Sequence, residues 1–180
     1  MRQLWSKDYN KLHKDNDEWF IKSRSNRYNF MMSDGSIRRM SFFCEQYHIS
    51  SIIDYGCGFG NHFNISNNIK IINYDPFVEE YSSRPNQSAD LVVCYNVLNV
   101  IEPIFFDDVL NDISDLTNSL LLCNIKVPGY WISDMKFYIE KISSRFKIKE
   151  FSYTKDVKDL NKMNLFILSE KNNSTNGGSI

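Results

Sequence analysis

The sequence predicts an α/β fold around a largely parallel sheet, and three stretches carry the prediction. Ile52 and Ile53 close a short buried strand, runs at 69–74 and 89–95 have the length of two more, and segments of helical periodicity are spaced along the rest of the chain. The first run opens into Ile52-Ile53-Asp54-Tyr55-Gly56-Cys57-Gly58-Phe59-Gly60, where glycines at alternate positions form a turn that lets backbone N–H groups approach a ligand. The second run ends in Asp75, an acid placed at a strand tip. The third, ADLVVCY, runs into Asn96-Val97-Leu98-Asn99-Val100-Ile101.

Taken in order, residues 1–36 are polar with interspersed aromatics (Trp5, Tyr9, Trp19, Phe20, Tyr28, Phe30) and are expected to form an N-terminal helical lid. Ser33-Asp34-Gly35-Ser36 is a turn signal. Ile37 to His48 reads as a helix, because Ile37, Met40, Phe43, Cys44 and Tyr47 recur at helical spacing. After the first strand and its glycine turn, His62 opens the next helix. Strands follow at 69–74 and 89–95, then a helix at 105–116 behind a Glu102-Pro103 turn, a strand at 119–125 and a helix at 132–144. Strands at 147–153 and 165–169 complete a domain spanning 37–170. Residues 171–180, rich in Asn, Ser and Gly, are expected to be a disordered tail.

The trio IIDYGCGFG, INYDPF and ADLVVCYNVLNVI resembles the class I S-adenosylmethionine-dependent methyltransferases over roughly residues 50–125. The resemblance implies a Rossmann-like sheet with S-adenosyl-L-methionine as cofactor. It assigns Gly56, Cys57, Gly58 and Gly60 to the cofactor's amino-acid end and Asp75, with Pro76 and Phe77, to its ribose and base. Tyr95 and Asn96 would lie beside the methyl group. Asp54 either organises the loop backbone or meets the cofactor's ammonium. Only about a dozen residues separate Asp75 from Ala89, too few for the usual helix, strand and helix, so the sheet is expected to be trimmed to about six strands without the third. Phe77 either stacks on adenine or packs in the core, and Gln87 or Ser88 is the expected partner of the adenine amino group. The compressed layout also resembles methyltransferase-like proteins of DNA phosphorothioation systems and of bacteriophages. The Asn-, Ile- and Lys-rich composition suits an AT-rich viral genome.

Methyl transfer from a sulfonium needs little more than alignment, which can contribute ~7–11 kcal/mol. A base helps only for a hydroxyl or a protonated amine. Tyr95, Asn96 and Asn99 are the groups offered after the third strand, and His62 is either a base or a cofactor-edge contact. The N/D-P-P-Y motif of amino-methylating DNA enzymes is absent, as is the Pro-Cys nucleophile of cytosine-C5 enzymes. Tyr130 and Trp131 either wall the acceptor or pack in the core. Two alternatives stand beside catalysis: a non-catalytic protein that binds or sequesters S-adenosylmethionine, and a nucleotide site of an unrelated Rossmann-like protein.

The chain has 180 residues, 42% of them hydrophobic, which suits one domain. No apolar run approaches the ~20 residues that cross a bilayer, and no apolar signal core follows Met1-Arg2, so a cytoplasmic location is expected, in a bacterial host if the chain is phage-encoded. Cys44, Cys57, Cys94 and Cys123 are scattered without metal-ligand spacing. A net charge of −1 argues against a surface wholly devoted to nucleic acid. Locally, Lys22, Arg24, Arg27, Arg38 and Arg39 against Asp34 form either a solvated face or a patch for a nucleotide or nucleic acid.

Overall fold

The computed structural model describes residues 34–58, 60, 68–129, 132–155 and 161–172, with only the backbone described for 34–39. The first described element is helix α1 (Asp34–Gln46), which begins three residues earlier than its apolar periodicity indicates because the Asp-Gly-Ser signal lies inside the first turn. Strand β1 (Ser51–Tyr55) follows, then β2 (Lys70–Tyr74), β3 (Ala89–Tyr95), helix α2 (Phe106–Leu116), β4 (Thr117–Val127), helix α3 (Met135–Ser143), β5 (Phe146–Lys155) and β6 (Met163–Lys171). The expected lid lies in residues outside this description, save for its last three. The expected tail starts one residue too early, because Lys171 still pairs with Phe146 in the sheet.

The strands form one sheet in the order β2-β1-β3-β4-β6-β5. β1 pairs in parallel with β2 and β3, and β3 with β4, whereas β6 runs antiparallel between β4 and β5. Among the described strands β2 is an edge, as the short link after Asp75 requires. That link holds a single 3-10 turn, Glu79–Tyr81, in place of a crossover helix and strand. Arg84 fastens it: its Nε donates to Asp112 of α2 at 2.5 Å, and the other Asp112 oxygen accepts from the buried Tyr55 hydroxyl at 2.8 Å.

The period-two alternation of the strands divides the core. Ile53, Tyr55, Val92, Cys94, Leu121, Cys123 and Ile125 pack with the inward stripe of α2 (Phe106, Val109, Leu110, Ile113, Leu116) and with Tyr138 and Ile142 of α3. Ile52, Leu91, Val93, Leu120 and Leu168 face the other way and meet Cys44 with Met40 and Phe43 of α1. Helix α2 starts behind Pro103 and carries Asp107 and Asp108 in its first turn, where a helix N-terminus favours negative charge. The N-cap of α3 is Asp134, whose side chain accepts from the Lys136 amide. All four cysteines are buried thiols, and that of Cys57 donates to the Gly58 carbonyl at 3.4 Å. No described helix is long and apolar enough to cross a membrane.

Candidate functional site

The parallel strands β1, β2, β3 and β4 all end at the same edge, and the glycine turn bends over it. The amides of Gly56 and Cys57 both donate to the Tyr74 carbonyl, at 2.7 and 3.1 Å, which folds the turn across the tip of β2. Gly56, Gly58 and Gly60 take φ of +75°, +63° and +74°, a region that costs other L-residues roughly 1–2 kcal/mol each. Space is closed as well. A Cβ on Gly56 would run into the Val97 side chain, and one on Gly60 would lie 2.7 Å from the Tyr81 hydroxyl and 3.0 Å from the Asn73 amide nitrogen. The alternating glycines are therefore a requirement of the local geometry, with the segment after β3 on one side and the link after β2 on the other.

Asp75 joins these parts. Its carboxylate is buried, with one oxygen accepting from the Gly58 amide at 2.8 Å and the other from the Phe77 amide at 3.0 Å. Pro76 has no N–H to offer, so the first donor after Asp75 is at position 77. The Phe77 ring is half-buried and packs against the larger core. Asp54 is buried in β1, in register with Asn73 on one side and Val93 on the other. Its charge is felt at Tyr95, whose phenol is raised well above its ordinary pKa, first by burial and then by Asp54 and Cys123. The Tyr95 ring lies with the smaller, α1-side core.

Beyond Tyr95 the chain turns sharply. Asn96 has φ +57°, a conformation that asparagine tolerates better than most residues, and its amide donates to the Asn124 carbonyl of β4 at 2.7 Å. Val97 packs under Gly56. The Asn99 carbonyl would lie 2.8 Å from a Cβ on Gly129, so the 96–99 segment runs from the glycine turn to the exit of β4. Three side-chain atoms here, Oδ1 of Asn96, Asn99 and Asn124, are buried without a hydrogen-bond partner among the described residues.

The structure brings Asp54, Gly56, Cys57, Gly58, Gly60, Asp75, Pro76, Phe77, Tyr95 and Asn96 to this one edge. Gln87 and Ser88 are not there. They precede β3, and Ser88 donates to Asn118 at the start of β4, at the opposite edge. Seven residues of β3 separate the two edges, on the order of 20 Å, so the expected contact with an adenine amino group is wrong. His62, Tyr130, Trp131, Lys22, Arg24 and Arg27 lie outside the described residues, and only the backbone of Arg38 and Arg39 is described, within α1. Tyr81, Asn73 and Asn124 border the cleft without having been singled out. Asn73 and Asn124 carry a signal, each an amide interrupting an apolar strand, and Tyr81 carries none. Among the described residues no cluster of three His, Cys, Asp or Glu side chains is placed to hold a metal.

Solved structures share this architecture. The chain is similar to a TehB-like S-adenosylmethionine-dependent methyltransferase from Corynebacterium glutamicum, with a TM-score of 0.61 and 14% identity over 89% of this chain and 99% of that one. It is similar to the 1,6-didemethyltoxoflavin-N1-methyltransferase of Burkholderia thailandensis, with a TM-score of 0.60 and 11% identity, covering 95% of this chain and 92% of the other. It is also similar to the N-methyltransferase NodS from Bradyrhizobium japonicum WM9, with a TM-score of 0.59 and 9% identity, covering 82% and 87%. No protein-family model matches the chain, and no curated protein matches it in sequence. The fold is that of the class I S-adenosylmethionine-dependent methyltransferases, reduced to six described strands.

Proposed function

We propose that the chain is an S-adenosylmethionine-dependent methyltransferase. The carrying observation is the turn at 56–60, three left-handed glycines with no room for a Cβ at 56 or 60, fastened by the buried Asp75 carboxylate. Such a cradle fits a ligand that must touch bare main chain, and Asp75 stands at the strand tip where a ribose diol is held in doubly wound folds. Gly56, Cys57, Gly58 and Gly60 would hold the amino-acid end of the cofactor and Asp75 its ribose. Tyr81 and Phe77 would border its base. Two of the neighbouring structures were solved with S-adenosylhomocysteine, which supports this choice over a dinucleotide. When bound, the cofactor supplies a methyl group on an electrophilic sulfonium.

This chain's own residues position and exclude. Asp75 fixes the loop against β2, Val97 closes it from below, and Tyr95 and Asn96 set the start of the acceptor side. A reaction driven by alignment requires no charged base among the described residues. A basic patch at Lys22, Arg24, Arg27, Arg38 and Arg39 serves in this reading as a contact for a phosphorylated acceptor. Calorimetry with S-adenosylmethionine, S-adenosylhomocysteine, NAD and ATP tests the assignment: the first two bind and the last two do not. Asp75→Ala and Gly58→Val should each weaken S-adenosylhomocysteine by about 10-fold or more, the scale of a lost charge-assisted hydrogen bond. Unchanged affinity in both variants rejects the site.

A further inference from the structure

Oδ1 of Asn96, Asn99 and Asn124 each expose less than 1 Å² and lack a partner among the described residues, and no other described side-chain nitrogen or oxygen shares that condition. A buried polar atom left unpaired costs about 1–3 kcal/mol. Three such atoms confined to one edge of one sheet are therefore not incidental to packing. Asn96 is tied to Asn124 through its amide, and Asn99 adjoins Gly129 just past β4. In the strand order, β4 lies beyond β3 from β1 and β2. Asn124 is thus three strand spacings, about 14 Å, from the strand that carries Asp75. Asn124 and the Asn99 backbone belong to the β4 side of this edge, across β3 and β1 from the strand that leads into Asp75.

Resting on the methyltransferase reading, we propose that the Asn99 and Asn124 oxygens receive the methyl acceptor, and that the accepting atom is a nitrogen bearing N–H: an amine or the exocyclic amino group of a heterocycle. An amide oxygen accepts hydrogen bonds and donates none. Carboxylates and phosphate oxygens, which bring no donor, find no complement here, and a hydroxyl brings a single one. A primary amino nitrogen brings two. The neutrality of the oxygens matters too. A carboxylate in the same place would favour the ammonium form, which has no lone pair to attack with. Amide oxygens orient N–H bonds and leave the nitrogen neutral. The nitrogen lone pair then forms the N–C bond as the C–S bond breaks, its electron pair remains on sulfur, and the N–H proton departs to water.

Asn99→Leu and Asn124→Leu, close in volume but without the orphaned oxygen, give a readout independent of turnover. In the ligand-free protein each should raise the midpoint of thermal unfolding by about 2–4 °C. A fall in either would mean that the amide has a structural partner, and would overturn the proposal. Both variants should bind S-adenosylhomocysteine within about two-fold of wild type, whereas a tenfold loss would hand these oxygens to the cofactor's own ammonium and also overturn it. For the wild type, [methyl-¹³C]S-adenosylmethionine is incubated with deproteinised cell extract, tRNA and duplex DNA, and the labelled carbon is read by proton–carbon correlation. An N-methyl resonance that both variants lose is expected. A label on oxygen, carbon or sulfur rejects the nitrogen acceptor alone. Bound cofactor with no label moved rejects it together with the methyltransferase reading, and a wild type that does not bind S-adenosylhomocysteine removes that reading at its base.

Discussion

The two edges of the parallel sheet are built from similar residues and treat them in opposite ways. At the edge where the strands begin, polar groups are paired. One Asp90 oxygen accepts from the amides and hydroxyls of both Ser50 and Ser51 at 2.6–3.0 Å. Ser88 meets Asn118, and the Thr117 hydroxyl donates to the Ile113 carbonyl. At the edge where the strands end, the backbone is left-handed at four positions, and three amide oxygens have no described partner. Both edges contain Asp, Asn and backbone amides, so composition does not tell them apart. The difference is whether local needs are met from within the chain, and it is at the unmet edge that a ligand has something to add.

Substitutions on either side should therefore separate stability from binding. The largest effect is expected from Gly56→Val, which forces a β-branched residue to φ +75° and drives its side chain into Val97. It should lower stability by about 2–4 kcal/mol and abolish measurable S-adenosylhomocysteine binding, as followed by urea unfolding and calorimetry. Next comes Asp112→Ala in α2, which removes the carboxylate that accepts from the Tyr55 hydroxyl and from Arg84. Removing one partner from such a buried pair costs about 3–5 kcal/mol at most, and the half-exposed Arg84 places this case toward the lower figure. Cofactor affinity should follow only modestly, through loosening of the 76–88 link.

Asp90→Asn is smaller, about 1 kcal/mol, with cofactor affinity unchanged. Burial tends to raise the Asp90 carboxyl, but the bonds from Ser50 and Ser51 outweigh it and hold the group below its ordinary range. A carboxyl depressed in the folded state adds stability that is full above the unfolded pKa and is lost as pH falls through the folded one. The gap in unfolding midpoint between wild type and Asp90→Asn should consequently be widest near neutrality and close as the solution is acidified below about pH 4. A gap that widens in acid would contradict the assignment. Least of all, Gln87→Ala and Ser88→Ala should leave S-adenosylhomocysteine affinity within about two-fold of wild type, since both residues sit at the starting edge.

Much of this contrast could be read from the chain itself. The strands at 69–74 and 89–95 lie within a residue of where their apolar runs place them, and the thirteen-residue gap after Asp75 forecast the missing strand from length alone. The glycine spacing located the turn because backbone sterics are local. Other features depend on partners distant in sequence. Tyr55, Arg84 and Asp112 meet across separations of 57 and 28 residues, and no periodicity announces such a triad. Strand β5 runs one residue before and two beyond the predicted 147–153, because a sheet margin with Phe151 and Tyr153 exposed lacks the alternation that marks a half-buried strand. The misplacement of Gln87 and Ser88 had a different origin. In a parallel connection the residues just before a strand must return to its starting edge, so topology already excluded them from the far one.

The uneven division of the core has a mechanical consequence. One face of the sheet is clad by α2 and α3, which are riveted to each other through Asp107 with Lys141 and Arg145. On the other, the described cladding is α1 alone, held over Ile52, Leu91 and Val93 by Cys44 and the half-buried Met40 and Phe43. Peeling such a helix away exposes less apolar surface than parting the opposite pair. Amide hydrogens of 40–46 should then exchange before those of 109–116, and the molecule should loosen from its thin side while its thick side still holds the strands in register.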